Sequence, residues 1–405
     1  MVDAATLNAA LQVGVVPDGE LADLLSSLFP MSKWESGTQV AYFHPEAGHV
    51  FDLLYSKRSG RILRGVPGPG LTDELVAQVR ELTVAASAPD TELEIRREIL
   101  FSTPEIRGFW RHADDWQILP APATAPRPQM LLGKHPFILE YKVRRSDSFQ
   151  VETTRRFRRC WELHLLLSLL LRGQVIRESS AHPHHWILLR EPLADGSHTV
   201  YANEGYMVRG FVVKAATFSD VSGIQKLEAV SDDEYYSRRG ISVQDDGMRV
   251  PSCLDNFFDR FEAALPAVRD PLLRACYWLD SASRVWDTSK SMSFVAAINA
   301  IEALAPPRGE RDPCPCCGTD RNPGPSAHFR SLVETHAAAE SEGARAAMYE
   351  FRSRLVHGGV LHGLDIPDTW GALVPRTMQQ HQWHDAAFAV ARAAVRNWFL
   401  DLAAS

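Results

Sequence analysis

Arg352 and His357 are the side chains of this sequence best suited to act on a phosphodiester. A guanidinium is a permanent cation whose fork of donors fits phosphate oxygens. An imidazole gives or takes a proton near neutral pH. The two lie in Tyr349-Glu350-Phe351-Arg352-Ser353-Arg354-Leu355-Val356-His357-Gly358-Gly359, which has the periodicity of an amphipathic helix stopped by two glycines. On an ideal helix, five residues at about 100° each leave the two side chains about 140° apart, so one straight helix does not bring them to a common face. Two arrangements would: a break in the helix at His357, where Gly358 ends it, or a second subunit that supplies the missing group. A histidine at a helix C-terminus also meets the negative end of the dipole, which favours its protonated form. The plain alternative is a surface arginine followed by a capping histidine.

Three further groups of residues have chemical potential. Cys314 and Cys317 have the C-x2-C spacing that lets two thiolates share one tetrahedral ion. Cys316, His328 or His336 would have to complete a structural zinc site, since no second C-x2-C follows; the alternative is a loop with incidental thiols. His182, His184 and His185 precede a strand whose alternation would separate their faces, so they are expected to form a polar turn. Arg155, Arg156, Arg158 and Arg159, with Lys142, Arg144 and Arg145 nearby, form the densest basic cluster. They are candidates for RNA binding, against the alternatives of a solvated face or an interdomain contact, and Glu152 and Glu162 dilute them. Neither a Walker nor a dinucleotide glycine pattern occurs, which argues against an NTPase or an NAD enzyme.

The elements that must position these residues fall into two regions. At 405 residues, with 45% hydrophobic and 23% charged, the chain suits two or three globular domains. Its formal net charge of −7 restricts any RNA contact to a local basic patch. Residues 1–250 read as an α+β sensing or targeting region. Strands are expected at Val40–Phe43, Val50–Tyr55, Glu92–Phe101, Met130–Val143, Trp186–Arg190 and Thr199–Ala202, and helices at Leu71–Thr83 and Phe157–Arg172. The stretch 119–128 holds four prolines in ten residues, the signature of an extended linker between two subdomains or of a long loop in one. Residues 251–405 read as an all-helical bundle. Asp270-Pro271 looks like an N-cap with proline at the first helical position. Four further helices carry Phe294, Ile298 and Ile301; Phe329 and Val333; Met348, Phe351 and Leu355; and Phe388, Ala391, Val395 and Trp398. Six cysteines without a disulfide spacing, no apolar leader in Met1–Gly14 and no run long enough to span a bilayer point to a reduced, cytoplasmic protein with no membrane partner.

The C-terminal pattern resembles the HEPN-domain ribonucleases, in the Apea-like form that reads Tyr-x-x-Arg-Ser-x-x-Val-His-Gly. Ser293-Phe-Val-Ala-Ala-Ile-Asn-Ala-Ile-Glu-Ala-Leu304 is similar to the family's alanine-rich helix with an internal glutamate. The resemblance spans roughly 270–405. It implies a HEPN-type bundle and cleavage of RNA without a metal: His357 as acid/base, Arg352 on the developing phosphorane charge, and Ser353, Arg354 and Glu302 in support. It also implies a homodimer in which two motifs face each other, and the biology of an antiviral defence or toxin effector. Active members often carry a more polar residue where this chain has Ser353, so a catalytically inactive HEPN module for dimerisation or partner binding is the rival reading. The trigger or ligand of residues 1–250 is not legible; a nucleotide that gates the bundle is one option.

Overall fold

The computed structural model describes residues 2–402 apart from 58–59, 88–91, 126–133, 147, 178–185, 193–197, 203–207, 209–210, 238–246, 306–315, 317–323, 338–341 and 367–374. Helices α1 (Ala4–Leu11) and α2 (Asp18–Leu28) precede strands β1 (Met31–Ser36), β2 (Gln39–His44), β3 (Gly48–Tyr55) and β4 (Ile62–Pro67). After α3 (Asp73–Ser87) come β5 (Leu93–Ser102), β6 (Trp110–His112), β7 (Trp116–Pro120), β8 (His135–Arg144) and the long α4 (Phe149–Leu170). Short strands follow: β9 (Val175–Ile176), β10 (Trp186–Pro192), β11 (His198–Ala202), β12 (Lys214–Ala215), β13 (Ala229–Val230) and β14 (Val250–Pro251), with α5 (Asp232–Ser237) before the last. The remainder is helical: α6 (Leu254–Ala263), α7 (Pro266–Arg284), α8 (Lys290–Glu302), α9 (Pro325–His336), α10 (Glu342–Val356) and α11 (Pro375–Leu402). A β-rich region with antiparallel sheets is thus followed by a helical one, as the patterning predicts.

By contact the chain divides into two compact units: residues 1–98, 140–161 and 212–219, and residues 99–139, 162–211 and 220–405. In the first, β1 to β4 pair antiparallel in chain order. Tyr42 stands opposite Phe51 with their rings stacked at 5.0 Å, and Phe29 meets Phe51 edge-on at 5.2 Å. Leu7, Leu11, Leu21 and Leu25 complete this core. Gly65 lets these leucines approach the strand, because a Cβ there would come within 2.5 Å of Leu11 and 3.0 Å of Leu7 and force their side chains to shift.

In the second unit, β6 and β7 form a hairpin with Trp110 opposite Ile118, and Trp116 packs on Phe258 of α6 at 4.5 Å. The described part of the Pro-rich stretch lies inside this unit: Leu119 and Pro120 close β7, and Ala121 and Ala125 are buried with Val208. Among the helices, α7 and α8 approach closely through Ala282, Ala296 and Ala297, and the buried Ser293 hydroxyl donates to the Ala282 carbonyl at 2.7 Å. Ala387, Ala391, Ala394, Val395 and Phe399 form the buried stripe of α11. Phe294, fully buried in α8, meets Phe351 of α10 at 5.1 Å; burying such a ring contributes about 1.5–3 kcal/mol.

One expected boundary is corrected. Helix α7 starts at Pro266, with Leu265 in the extended N-cap position, and Pro271 lies inside it. Two prolines compete for the first helical position, and Pro266 takes it; Pro271, in the second turn, forgoes the bond that its missing N–H would make and crowds the Ala267 carbonyl. Among the described residues, no helix is long and apolar enough to cross a membrane.

Candidate active site

Helix α10 is held by the side chains on either side of the arginine. Met348 and Phe351 are buried, Phe351 packs on Phe294 and, at 5.7 Å, on Trp383, and Tyr349 meets Phe329 of α9 at 5.2 Å. Residue 352, next to the Phe351 anchor, faces α8. There its Nη2 donates to Glu302 Oε2 at 2.7 Å and to Asn299 Oδ1 at 3.0 Å. Asn299 and Glu302 are one helical turn apart and so share a face. Glu302 of α8 is thus paired with an arginine of α10.

This pair is only about a fifth exposed, at 20% for the Arg352 side chain and 21% for Glu302. Arg352 Nε and Glu302 Oε1 are buried without a hydrogen-bond partner. Nη2 thus makes both bonds and Nε is closed off from solvent, which leaves Nη1 as the donor for an incoming acceptor. Burial, then the Glu302 charge, pushes the Tyr349 hydroxyl above its ordinary pKa, and the Arg352 guanidinium lies 5.8 Å from the Tyr349 ring centre.

The helix stops where the glycines require. Gly358 takes φ +70°, the left-handed conformation that favours glycine. Its N–H donates to the Leu355 carbonyl at 3.1 Å and that of Gly359 to the Arg354 carbonyl at 2.9 Å, the bond pair of a Schellman ending. His357 therefore leaves the helix exposed to solvent. No hydrogen bond joins it to Arg352 among the described residues, in keeping with their angular separation. Ser353 is half-buried and its carbonyl accepts from the His357 N–H at 3.1 Å; Arg354 is exposed.

The segment after His357 is pinned to two helices. The His362 N–H donates to Ser291 Oγ at 2.8 Å, and the Gly363 N–H to Gln380 Oε1 at 2.7 Å. Asp365 caps α8, accepting from the N–H groups of Lys290 at 2.6 Å and Ser291 at 2.7 Å. Burial acts against this carboxylate, but the bonds from Ser291, Lys290 and Ser289 hold it below the usual range. His362 and His384 beside it are fully buried, their rings 5.9 Å apart. The sequence reading passed over this cluster; the available signal was a second His-Gly pair, His362-Gly363, five residues after the first.

No protein-family model, curated protein or solved structure matches the chain. The site must therefore be judged on its own residues.

The remaining candidates are not brought to it. Cys314 and Cys317, and the histidines at 182, 184 and 185, lie outside the described residues. Cys316 is exposed, His328 is half-buried in α9, and His336 Nδ1 is 2.7 Å from Asp401. Among the described residues, no group of three or more His, Cys, Asp or Glu is placed to hold a metal ion. In the basic cluster, Arg155 is almost buried and donates from Nε to Glu20 at 2.8 Å and from Nη2 to the Ala86 carbonyl at 3.0 Å. Arg156 lies 3.7 Å from Glu98 and its guanidinium 4.8 Å from the Phe157 ring centre. Arg158 and Arg159 are half-buried on the same helix. At least two of these four cations are thus engaged with acids of their own unit.

Proposed function

We propose that this protein is a metal-independent endoribonuclease of HEPN type, with Arg352 and His357 as its catalytic pair. The observation that supports it best is the Arg352 guanidinium, held at 2.7 Å by Glu302 with donor capacity to spare, five residues before an imidazole that the Schellman ending exposes. In this reading His357 takes the proton of a ribose 2′-OH, and the 2′-oxygen attacks the adjacent phosphorus. The P–O5′ bond breaks, leaving a 2′,3′-cyclic phosphate, and the departing 5′-oxygen takes up a proton to become a hydroxyl. Arg352 stabilises the charge that builds on the non-bridging oxygens. Because one chain leaves the two groups on different faces, a homodimer completes the site, the partner's motif supplying the second proton carrier. Antiviral defence or toxicity is the biology proposed, with residues 1–250 as the sensing part.

A second reading rests on the same contacts. Arg352 is bonded to Glu302 and Asn299 and not to His357, which is also what a silent bundle used for dimerisation would show.

Product analysis separates the two. Cleavage of RNA by the full chain should give cyclic-phosphate and 5′-hydroxyl ends at a rate that excess EDTA leaves nearly unchanged. Strict, reversible dependence on added magnesium would move the protein to a two-metal nuclease class, and no cleavage of any RNA would favour the silent bundle.

The proposal extends to a structural zinc at Cys314 and Cys317. Protein purified without added metal should carry about one zinc per chain, lost in Cys314→Ser and in Cys317→Ser alike, because thiolates of one site share the ion. Metal-free protein with a cooperatively folded bundle would exclude it without touching the nuclease assignment.

A further inference from the structure

Arg392 and Arg396 lie four residues apart on α11, and so on one face of it. Neither has a carboxylate partner among the described residues. Arg392 donates from Nη2 to the Ser168 carbonyl at 3.0 Å, and that is its one hydrogen bond among them. Arg396 donates from Nε to Asn397 Oδ1 at 3.1 Å, and its guanidinium lies 3.7 Å from the Tyr236 ring centre. Both residues are half-buried. Arg172 and Arg249 add positive charge around the neighbouring Tyr235.

The nearby acids are occupied elsewhere. Glu234 is 3.2 Å from Arg249, and Asp232 accepts from Ser252 Oγ at 3.0 Å and from the Cys253 N–H at 2.9 Å. The tyrosines are committed too: the Tyr235 hydroxyl accepts from the Arg172 backbone N–H at 2.7 Å, and the Tyr236 hydroxyl donates to the Leu170 carbonyl at 3.0 Å. Burial lowers the pKa of Arg392, Tyr236 and Tyr235 act the other way, and the charges of Arg396 and Arg172 add to the lowering.

Like charges four apart destabilise a helix, and a desolvated cation without a counter-ion is costly. The stacking of Arg396 on Tyr236 accounts for one of the two arginines. Arg392 has only a carbonyl, which carries no charge. An anion would balance both, and its charge can be specified. A carboxylate answers one guanidinium, whereas a terminal phosphate carries about −1.5 to −2 near neutral pH and offers three acceptor oxygens.

We propose that Arg392 and Arg396, with Arg172 close by, form a binding site for a terminal phosphate group, free or on a nucleotide. The site contains neither Arg352 nor His357, so it stands apart from the ribonuclease assignment.

Calorimetry and thermal denaturation of the full chain in phosphate-free buffer test it, with inorganic phosphate, 5′-AMP and adenosine as probes. Phosphate and 5′-AMP should bind and raise Tm, and adenosine should not. Tighter binding of 5′-AMP than of phosphate would mark a nucleotide site, the reverse a free-anion site. Arg392→Gln and Arg396→Gln should each weaken binding by roughly tenfold or more, the order expected for a lost charge-assisted hydrogen bond. Their unliganded Tm should equal or exceed that of the parent, because each relieves a repulsion; a purely structural arginine would lower it. Lys33→Gln, which removes an exposed cation of β1, should leave affinity unchanged. Arg392→Lys keeps the charge and should retain part of the affinity, which keeps the test informative if a glutamine variant misfolds. Absence of phosphate and 5′-AMP binding at millimolar concentration, or parent-like affinity in both glutamine variants, would overturn the proposal.

Discussion

His357→Ala is expected to remove RNA cleavage by a factor on the order of 10²–10⁴, the usual contribution of a positioned acid/base, while the helical bundle stays folded. The two halves of this expectation have separate physical grounds. The side chain is exposed, and the bonds that end α10 are made by the backbone N–H groups of residues 357 to 359, so alanine keeps them all. Far-UV circular dichroism and Tm should therefore match the parent protein while turnover falls. Arg352 behaves differently because it is structural and chemical at once. Arg352→Ala removes the Glu302 and Asn299 bonds and leaves a carboxylate four-fifths buried beside Tyr349, so some loss of stability should accompany the loss of activity. Arg352→Lys restores charge toward Glu302 but not a fork of donors, so stability should recover further than turnover does. A His357→Ala protein that cut RNA at the parent rate would show that the catalytic group lies elsewhere.

The framework of this site was legible because it rests on local signals. The apolar spacing of Met348, Phe351 and Leu355 gave α10 its face, the His-Gly pair gave its end, and the alanine-rich run around Ala296 and Ala297 announced a close helix contact. Strands β2, β3 and β10 showed for a similar reason, each having a short apolar or β-branched run. What failed to show depends on partners far away in sequence. The sequence places a helix from Phe157, whereas α4 begins at Phe149, because the charged residues from Glu152 to Arg159 conceal its period. The acid that pairs with Arg155 was equally invisible, because Glu20 lies 135 residues away in sequence. A histidine among apolar residues carries no mark in sequence of whether it faces solvent, so the His362–His384 cluster stayed hidden until α11 was placed against Trp286.

That cluster gives the helical region an acid-sensitive point, and lowering the pH from 8 to 5 is expected to destabilise it mainly through His384. The imidazole is fully buried, 4.1 Å from the Trp286 ring, with neither nitrogen hydrogen-bonded. Burial, followed by the charges of His362, Lys290 and His381, pushes its pKa from 6.5 down to about 3, with Asp365 acting the other way. The folded state therefore refuses a proton that the unfolded chain accepts. The stability contributed by the neutral form is complete above about pH 6.5 and is lost as the pH falls toward 3, at about 1.4 kcal/mol per unit. Over the full interval that amounts to about 4–5 kcal/mol as an upper figure, a large share of the 5–15 kcal/mol typical of a domain. Burial lowers the pKa of His362 and of His164 in the same direction, so the acid limb should be steeper than one proton explains. Urea unfolding at several pH values measures the slope, and His384→Phe isolates the residue. Phenylalanine keeps a planar ring against Trp286 and removes two unpaired nitrogens, so the variant should be at least as stable as the parent at pH 8. At pH 5 it should pull ahead by about 2 kcal/mol, the shift accumulated over one and a half units. An unchanged pH slope in His384→Phe would mean that the imidazole is protonated in the folded protein, and that the aromatic enclosure around Trp286 opens to water or to a counter-charge.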